Sequence, residues 1–181
     1  MVTILRIGHR RERDKRITTH LLLTARALGA SKVYIAGEWD EKIIESVTKV
    51  VDEWGNSFYF EFIDHEQWEF VINHYRSINW SIIHLTMYGQ NLPKFLTENE
   101  TNLDKCLIVL GGEKIPSQVY KMADWNIGVT NQPHSEVAAL AIFLYSIYPE
   151  LNKYDKIDAK KKIIPSIEGN KHLDINDLIS E

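Results

Sequence analysis

Apolar positions follow two alternating rhythms along the chain. "TILRIG", "KVYIAG", "SFYFEFI", "SIIHLTM", "CLIVLGG" and "NIGVT" are short runs rich in β-branched and aromatic residues, bounded by glycines or polar turns, as buried strands are. Between them, "TTHLLLTARALGA", "DEKIIESVTKVVDEWG" and "EQWEFVINHYRSI" repeat their apolar residues at helical spacing. Thr18 or Thr19 is expected to cap the first of these helices and Gly29 to close it. In the second, Ile43, Ile44, Val47, Val50, Val51 and Trp54 form one stripe that stops at Gly55. A last helix follows "GVTNQPH", with Val137, Leu140, Ala141, Leu144 and Tyr145 at its spacing. This alternation predicts an α/β fold in which helices flank a mostly parallel sheet. Residues 1–150 read as one domain. Residues 151–181 read as an extension packed on it, with "KKIIPSIEGNKHLDI" a hairpin turning at Glu168, Gly169 and Asn170.

Composition adds exclusions. Of 181 residues, 44% are hydrophobic and 25% charged, which suits a soluble globular chain and not a disordered one. No apolar run reaches the ~20 residues that cross a bilayer, and the N-terminus lacks a signal peptide's order, so no membrane partner is expected. The single cysteine, Cys106, excludes an internal disulfide and fits a reducing cytoplasm; at the start of a strand it reads as a structural thiol. Seven histidines are scattered without HExxH or a cysteine pair, so no metal site is indicated. Neither GxGxxG nor GxxxxGK[ST] is present, which argues against a dinucleotide-binding reductase and against a P-loop.

The net charge of −4 hides an uneven distribution. In "RIGHRRERDKR", Arg6, Arg10, Arg11, Arg13, Lys15 and Arg16 face only Glu12 and Asp14. The cluster reads either as a phosphate-binding patch or as a solvated loop with internal ion pairs. In parallel sheets, ligands bind beyond the carboxyl ends of the strands, and three such ends carry dense loops: "LTMYGQNLP", "LGGEKIPSQVY" and "VTNQPHSEVAAL". Taken singly, these loops also read as ordinary turn and capping chemistry, with Ser135 a cap and Pro133 a turn former.

Together "GHRRERDKRITTHLLLTARALGA", "HLTMYG", "GGEKIP", "ADWNIGV" and "NQPHSEVAALAIFL" closely resemble the archaeal tRNA (cytidine-56) 2′-O-methyltransferases of the SPOUT superfamily, from Leu5 to about Tyr145. The resemblance implies a deep C-terminal trefoil knot, a homodimer, and S-adenosylmethionine held in the knot. It implies methylation of the ribose of cytidine 56 in the tRNA T-loop. The alternatives are another tRNA or rRNA ribose, or a non-catalytic RNA-binding knot protein. On this footing Leu85 and Thr86 form one wall of the cofactor site. Gly111, Gly112, Glu113, Lys114 and Ile115 form a second, where the glycines admit close backbone approach and Glu113 accepts from the ribose or amino group. The segment Thr130, Asn131, Gln132, Pro133, His134, Ser135, Glu136 and Val137 completes it. In SpoU-type enzymes a motif near the N-terminus supplies an arginine beside the reacting hydroxyl. Here that position falls on Leu23, so Arg16, then Arg13, is the candidate to hold the target phosphate or 2′-oxygen, with His20 one turn beyond. Arg10, Arg11, Arg13 and Lys15 would grip tRNA phosphates.

Overall fold

The computed structural model describes residues 1–55, 58–98, 103, 105–112, 114–147, 159–163, 167 and 172–174. Six strands form one parallel sheet: β1 (Val2–His9), β2 (Lys32–Gly37), β3 (Tyr59–Ile63), β4 (Ser81–Asn91), β5 (Cys106–Gly111) and β6 (Trp125–Gly128), in the order β3-β2-β1-β5-β4-β6. The helices are α1 (Arg11–Ala27), α2 (Glu41–Trp54), α3 (Trp68–Ser77), α4 (Leu92–Glu98), α5 (Ser117–Met122) and α6 (Glu136–Ile147). All eight residues of β1 are buried because helices cover both faces of the sheet. Alternation along β1 sends Val2 and Ile4 to one core, with Leu21, Leu22, Ile43, Val47, Leu140 and Phe143. It sends Leu5 and Ile7 to the other, with Trp68, Val71, Ile72 and Val119. Each fully buried Leu or Ile contributes about 1.5–3 kcal/mol.

Local chemistry explains most boundaries. Asp40 caps α2, its Oδ1 accepting from the backbone N–H groups of Lys42 and Ile43. Gly29, at φ 87°, ends α1 as expected, and the N–H of Ala30 donates to the Ala25 carbonyl. The start of α1 differs from expectation. The helix begins at Arg11, not near Thr18, because Asp14 Oδ2 accepts from the Arg10 backbone N–H and Nε while Glu12 and Asp14 sit in the positive first turn. Thr18 is instead a buried interior residue bonded to His9, and Thr19 donates to the Lys15 carbonyl. The basic run is therefore a strand end and two helical turns.

Two segments expected as loops are ordered elements. "MYGQN" belongs to β4, and "SQVYKM" forms α5. In α6 the buried stripe is Ala139, Leu140, Phe143 and Leu144, whereas Ile142 and Tyr145 are exposed. Beyond the sheet, β7 (Lys161–Ile163) pairs antiparallel with β8 (His172–Asp174). Lys161 Nζ lies 3.0 Å from Glu53 Oε2, which tethers this ladder to α2. The expected turn at Glu168–Asn170 lies outside the described residues.

Candidate active site

The carboxyl ends of β4, β5 and β6 surround a cavity of about 1010 Å³. Close approaches at glycines shape it. A Cβ at Gly89 would lie 2.5 Å from the backbone of Asn126 and Ile127, so only glycine lets β4 pass β6 there. β4 and β6 pair twice, through Ile83–Leu85 and again through Gln90–Asn91, with the chain between displaced from the ladder. Asn131 Nδ2 ties the third loop to that displaced segment, donating to the carbonyls of Met87 at 2.6 Å and Gly89 at 3.3 Å.

At the second loop, a Cβ on Gly111 would lie 2.4 Å from the Ile7 carbonyl oxygen and 2.5 Å from Ile115 Cδ1. One on Gly112 would lie 3.0 Å from Arg6 Nη2 and 3.1 Å from Glu136 Oε1. The two glycines thus admit neighbours from this chain itself as well as facing the cavity. At the third loop, Ser135 Oγ accepts from the Val137 N–H, and the Ser135 carbonyl accepts from the Ala139 N–H, which starts α6. His134 Nδ1 bonds the Gln132 carbonyl at 2.7 Å.

Two buried groups give the cavity its polarity. His84, fully buried on β4, has Nδ1 2.8 Å from Asn126 Oδ1. Asn126 Nδ2 donates to the Tyr120 carbonyl, which orients the amide, so His84 Nδ1 carries the proton and Nε2 is a bare acceptor. Burial pushes its pKa below the ordinary histidine value, against the opposing pull of the Asn126 contact, and keeps it neutral. The other group is Glu136, whose Oε1 accepts from Arg6 Nη2 at 2.8 Å. His84 Nε2 and Glu136 Oε2 are both buried without a partner, and both residues line the cavity. Apolar walls from Leu85, Leu110, Ile115, Ile127 and Val129 surround them. An apolar slot with a few fixed acceptors fits a nucleoside-like ligand that brings its own donors.

The family described as tRNA ribose 2′-O-methyltransferase, aTrm56, matches residues 54–173. The chain belongs to this family. The tRNA (cytidine(56)-2′-O)-methyltransferase of Methanocaldococcus jannaschii is 48% identical over 172 residues, spanning 93% of this chain and 94% of that protein. The enzyme of the same name from Thermococcus kodakarensis is 47% identical over 180 residues, spanning 97% and 98%. Among solved structures, an RNA 2′-O ribose methyltransferase superposes with a TM-score of 0.61 at 19% identity, over 82% of this chain and 55% of that one. The SpoU methyltransferase AviRb from Streptomyces viridochromogenes, in complex with AdoMet, gives 0.58 at 13%, over 87% and 59%. At such identities these two show a shared fold, and this chain spans little more than half of each.

The residues expected from sequence divide between the cavity wall and its surroundings. Leu85, Thr86, Gly111, Gly112, Lys114 and Ile115 line the cavity, as do Pro133, His134, Ser135 and Glu136. Thr130, Asn131, Gln132 and Val137 are not among its lining residues; Asn131 braces the loop, and Val137 packs on the core. Glu113 lies outside the described residues. Arg13, Arg16 and His20 are exposed on α1 and do not line the cavity, but Ile17 does, and these three sit within one turn of it. Arg11 and Lys15 are also exposed, and Arg10 pairs with Asp14 at 3.2 Å. Arg6, counted with the basic cluster from sequence, is instead buried against Glu136 because its strand lies mid-sheet. His84 and Tyr120 also line the cavity, although the sequence does not mark either as a site residue. A lone histidine in "SIIHLTM" interrupts an apolar run, which was the available signal, whereas nothing in "SQVYKM" pointed inward. Cys106 is buried and its thiol is pushed up to about 12 by desolvation, as a structural cysteine's would be.

Proposed function

We propose that this chain transfers the methyl group of S-adenosylmethionine to the ribose 2′-hydroxyl of cytidine 56 in the T-loop of tRNA. The observation that carries the reading is the pair of buried, unpartnered acceptors, Glu136 Oε2 and His84 Nε2, in the apolar cavity at the ends of β4, β5 and β6 of an aTrm56 chain. When bound, S-adenosylmethionine supplies a methyl on a sulfonium leaving group. Leu85, Ile115 and Val129 would enclose the adenine, with loop backbone at Thr86, Gly111 and Gly112 approaching its edges and ribose. Glu136 would accept from the cofactor, and Glu113 is a second acceptor candidate. His134 and Ser135 stand at the mouth. Arg16, with Arg13 second and His20 beside them, would hold the target phosphate or 2′-oxygen in line; arginine's fork suits a bidentate grip, and its high pKa makes positioning, not proton removal, its task. Arg10, Arg11, Arg13 and Lys15 would hold the tRNA backbone.

The same reading includes a deep trefoil knot, supported by the twofold pairing of β4 with β6 and the Asn131 brace across the displaced segment. It includes a homodimer, supported by the exposed Ile142 and Tyr145 on the outer face of α6. It treats 1–150 as the methyltransferase domain with 151–181 an extension, and places the protein in the cytoplasm. Among the described residues no helix is long and apolar enough to cross a membrane.

Incubating tRNA with the protein and S-adenosylmethionine, then mapping 2′-O-methyl groups by mass spectrometry, tests the function directly. One added methyl at cytidine 56 is expected. Methylation elsewhere moves the site; no methylation of any RNA, with cofactor bound, sinks the reaction.

A further inference from the structure

The arrangement of Arg6 and Glu136 is asymmetric. Arg6 has no exposed side-chain surface and Glu136 only 7%. Arg6 Nη2 donates to Glu136 Oε1 at 2.8 Å and Nε donates to the same oxygen at 3.3 Å, while Nη1 donates to the Gly8 carbonyl at 3.3 Å. A fork-to-fork pair would engage both carboxylate oxygens. Here both contacts fall on Oε1, and Oε2 is left buried and unpartnered. Gly112 closes over the pair, since a Cβ there would press on both Nη2 and Oε1. A buried carboxylate oxygen with no donor is unfavourable unless something supplies one.

We propose that Arg6 is a positioning residue for the cofactor. By engaging only Oε1, it presents Glu136 Oε2 as the acceptor for a hydroxyl or ammonium donor of the ligand. The inference rests on the cofactor reading above. It carries a consequence that mere structural pairing does not. Guanidinium nitrogens only donate, so in Glu136→Gln the side-chain oxygen must turn to Arg6. The amide nitrogen then occupies the place of Oε2, and an acceptor becomes a donor with no change of shape. Replacing Arg6 as well frees the amide to rotate and offer its oxygen to the ligand.

The test is calorimetric titration of the full-length protein with S-adenosylmethionine, for wild type, Glu136→Gln and Arg6→Met/Glu136→Gln, with thermal unfolding as a check on the fold. Glu136→Gln is expected to lose tenfold or more in affinity (roughly 1.4 kcal/mol per tenfold) while remaining folded. The double variant is expected to bind more tightly than Glu136→Gln alone, a reversal that a stability effect cannot produce. Binding by Glu136→Gln within about twofold of wild type overturns the role of Oε2. A double variant no better than Glu136→Gln overturns the role of Arg6. A crystal structure of the wild-type chain with S-adenosylmethionine asks the same question without a variant. Oε2 within about 3.2 Å of a ligand donor is expected, and Oε2 facing a protein group or water overturns it. Wild type that binds no cofactor at all fails at the earlier step and removes the reading beneath the proposal.

Discussion

Arg6 and Arg16 lie ten positions apart in one basic run, yet the fold treats them in opposite ways. Arg6 points from a central strand into the core and directs all three kinds of guanidinium nitrogen at fixed acceptors. Arg16 stands exposed on α1, one residue from Ile17 at the cavity wall. The same contrast separates the two helix starts at this end of the sheet. At the entry of α6, Glu136 is held by Arg6 and Asn131 by the carbonyls of Met87 and Gly89, whereas the side chains of Arg11, Arg13, Lys15 and Arg16 at the start of α1 are exposed. A small ligand that leaves solvent needs prearranged partners, because each mismatched buried group is costly. A large polyanion is gripped at the surface, where flexible cations displace counterions. On the proposed reading, the division between a cofactor side and an RNA side follows from that difference in desolvation.

The strongest way to break the comparison is at the glycines. Gly111→Val sets side-chain atoms against the Ile7 carbonyl, which belongs to a central strand and cannot withdraw. A loss of about 3 kcal/mol in stability is expected by chemical denaturation. Gly112→Ala meets only side-chain ends at 3.0 and 3.1 Å, so its cost is expected below ~1 kcal/mol, with the penalty appearing in cofactor affinity. Equal stability losses at both positions would erase the distinction between a backbone approach and a ligand-side one.

Next comes Arg16→Ala, expected to lower turnover on tRNA by roughly 100-fold while cofactor affinity stays at the wild-type value. If the site is shared between subunits, mixing this variant with one whose cofactor loop is broken restores activity in the heterodimer. Full turnover by Arg16→Ala transfers the role to Arg13.

A smaller effect is expected from Arg10→Ala with Arg11→Ala. The slope of log affinity for tRNA against log salt should fall by roughly one to two, since each lost phosphate contact removes about one released counterion. The Arg10 side chain keeps 37% of its surface exposed while paired with Asp14, so a phosphate can still reach it. An unchanged slope returns the run to a solvated helix face.

The smallest effect concerns pH. Burial lowers the pKa of His84, and burial followed by the Arg6 charge lowers that of His9. Both stay neutral in the fold below the unfolded value near 6.5, where the unfolded chain binds more protons. Stability is therefore full above that value and falls as pH drops through it towards the folded values, by at most ~1.4 kcal/mol per pH unit for each histidine. His84→Asn should flatten the slope between pH 6.5 and 5.5 in urea titrations. A slope unaffected by that change would place the acid sensitivity elsewhere.

Periodicity alone determined the strands and the longer helices of this protein, because burial on a sheet or a helix face leaves a repeat that any local window contains. β2 ends where "KVYIAG" ends, and α2 stops at Gly55 as its stripe does. Glycines and caps at the strand ends are local signals that by themselves read as turn chemistry; the family resemblance singles these loops out, and ten of the residues expected there line the cavity. The start of α1 lies at Arg11, ahead of the threonines, where Asp14 Oδ2 accepts from the Arg10 backbone N–H. Thr18 and Arg6 look like surface residues in sequence, and only the neighbours brought by β1 and α6 make them interior. The same holds for His84, whose tautomer depends on Asn126, forty-two residues away. Which oxygen of Glu136 is bound and which is left bare is a matter of long-range geometry, and no pattern of residues along the chain encodes it.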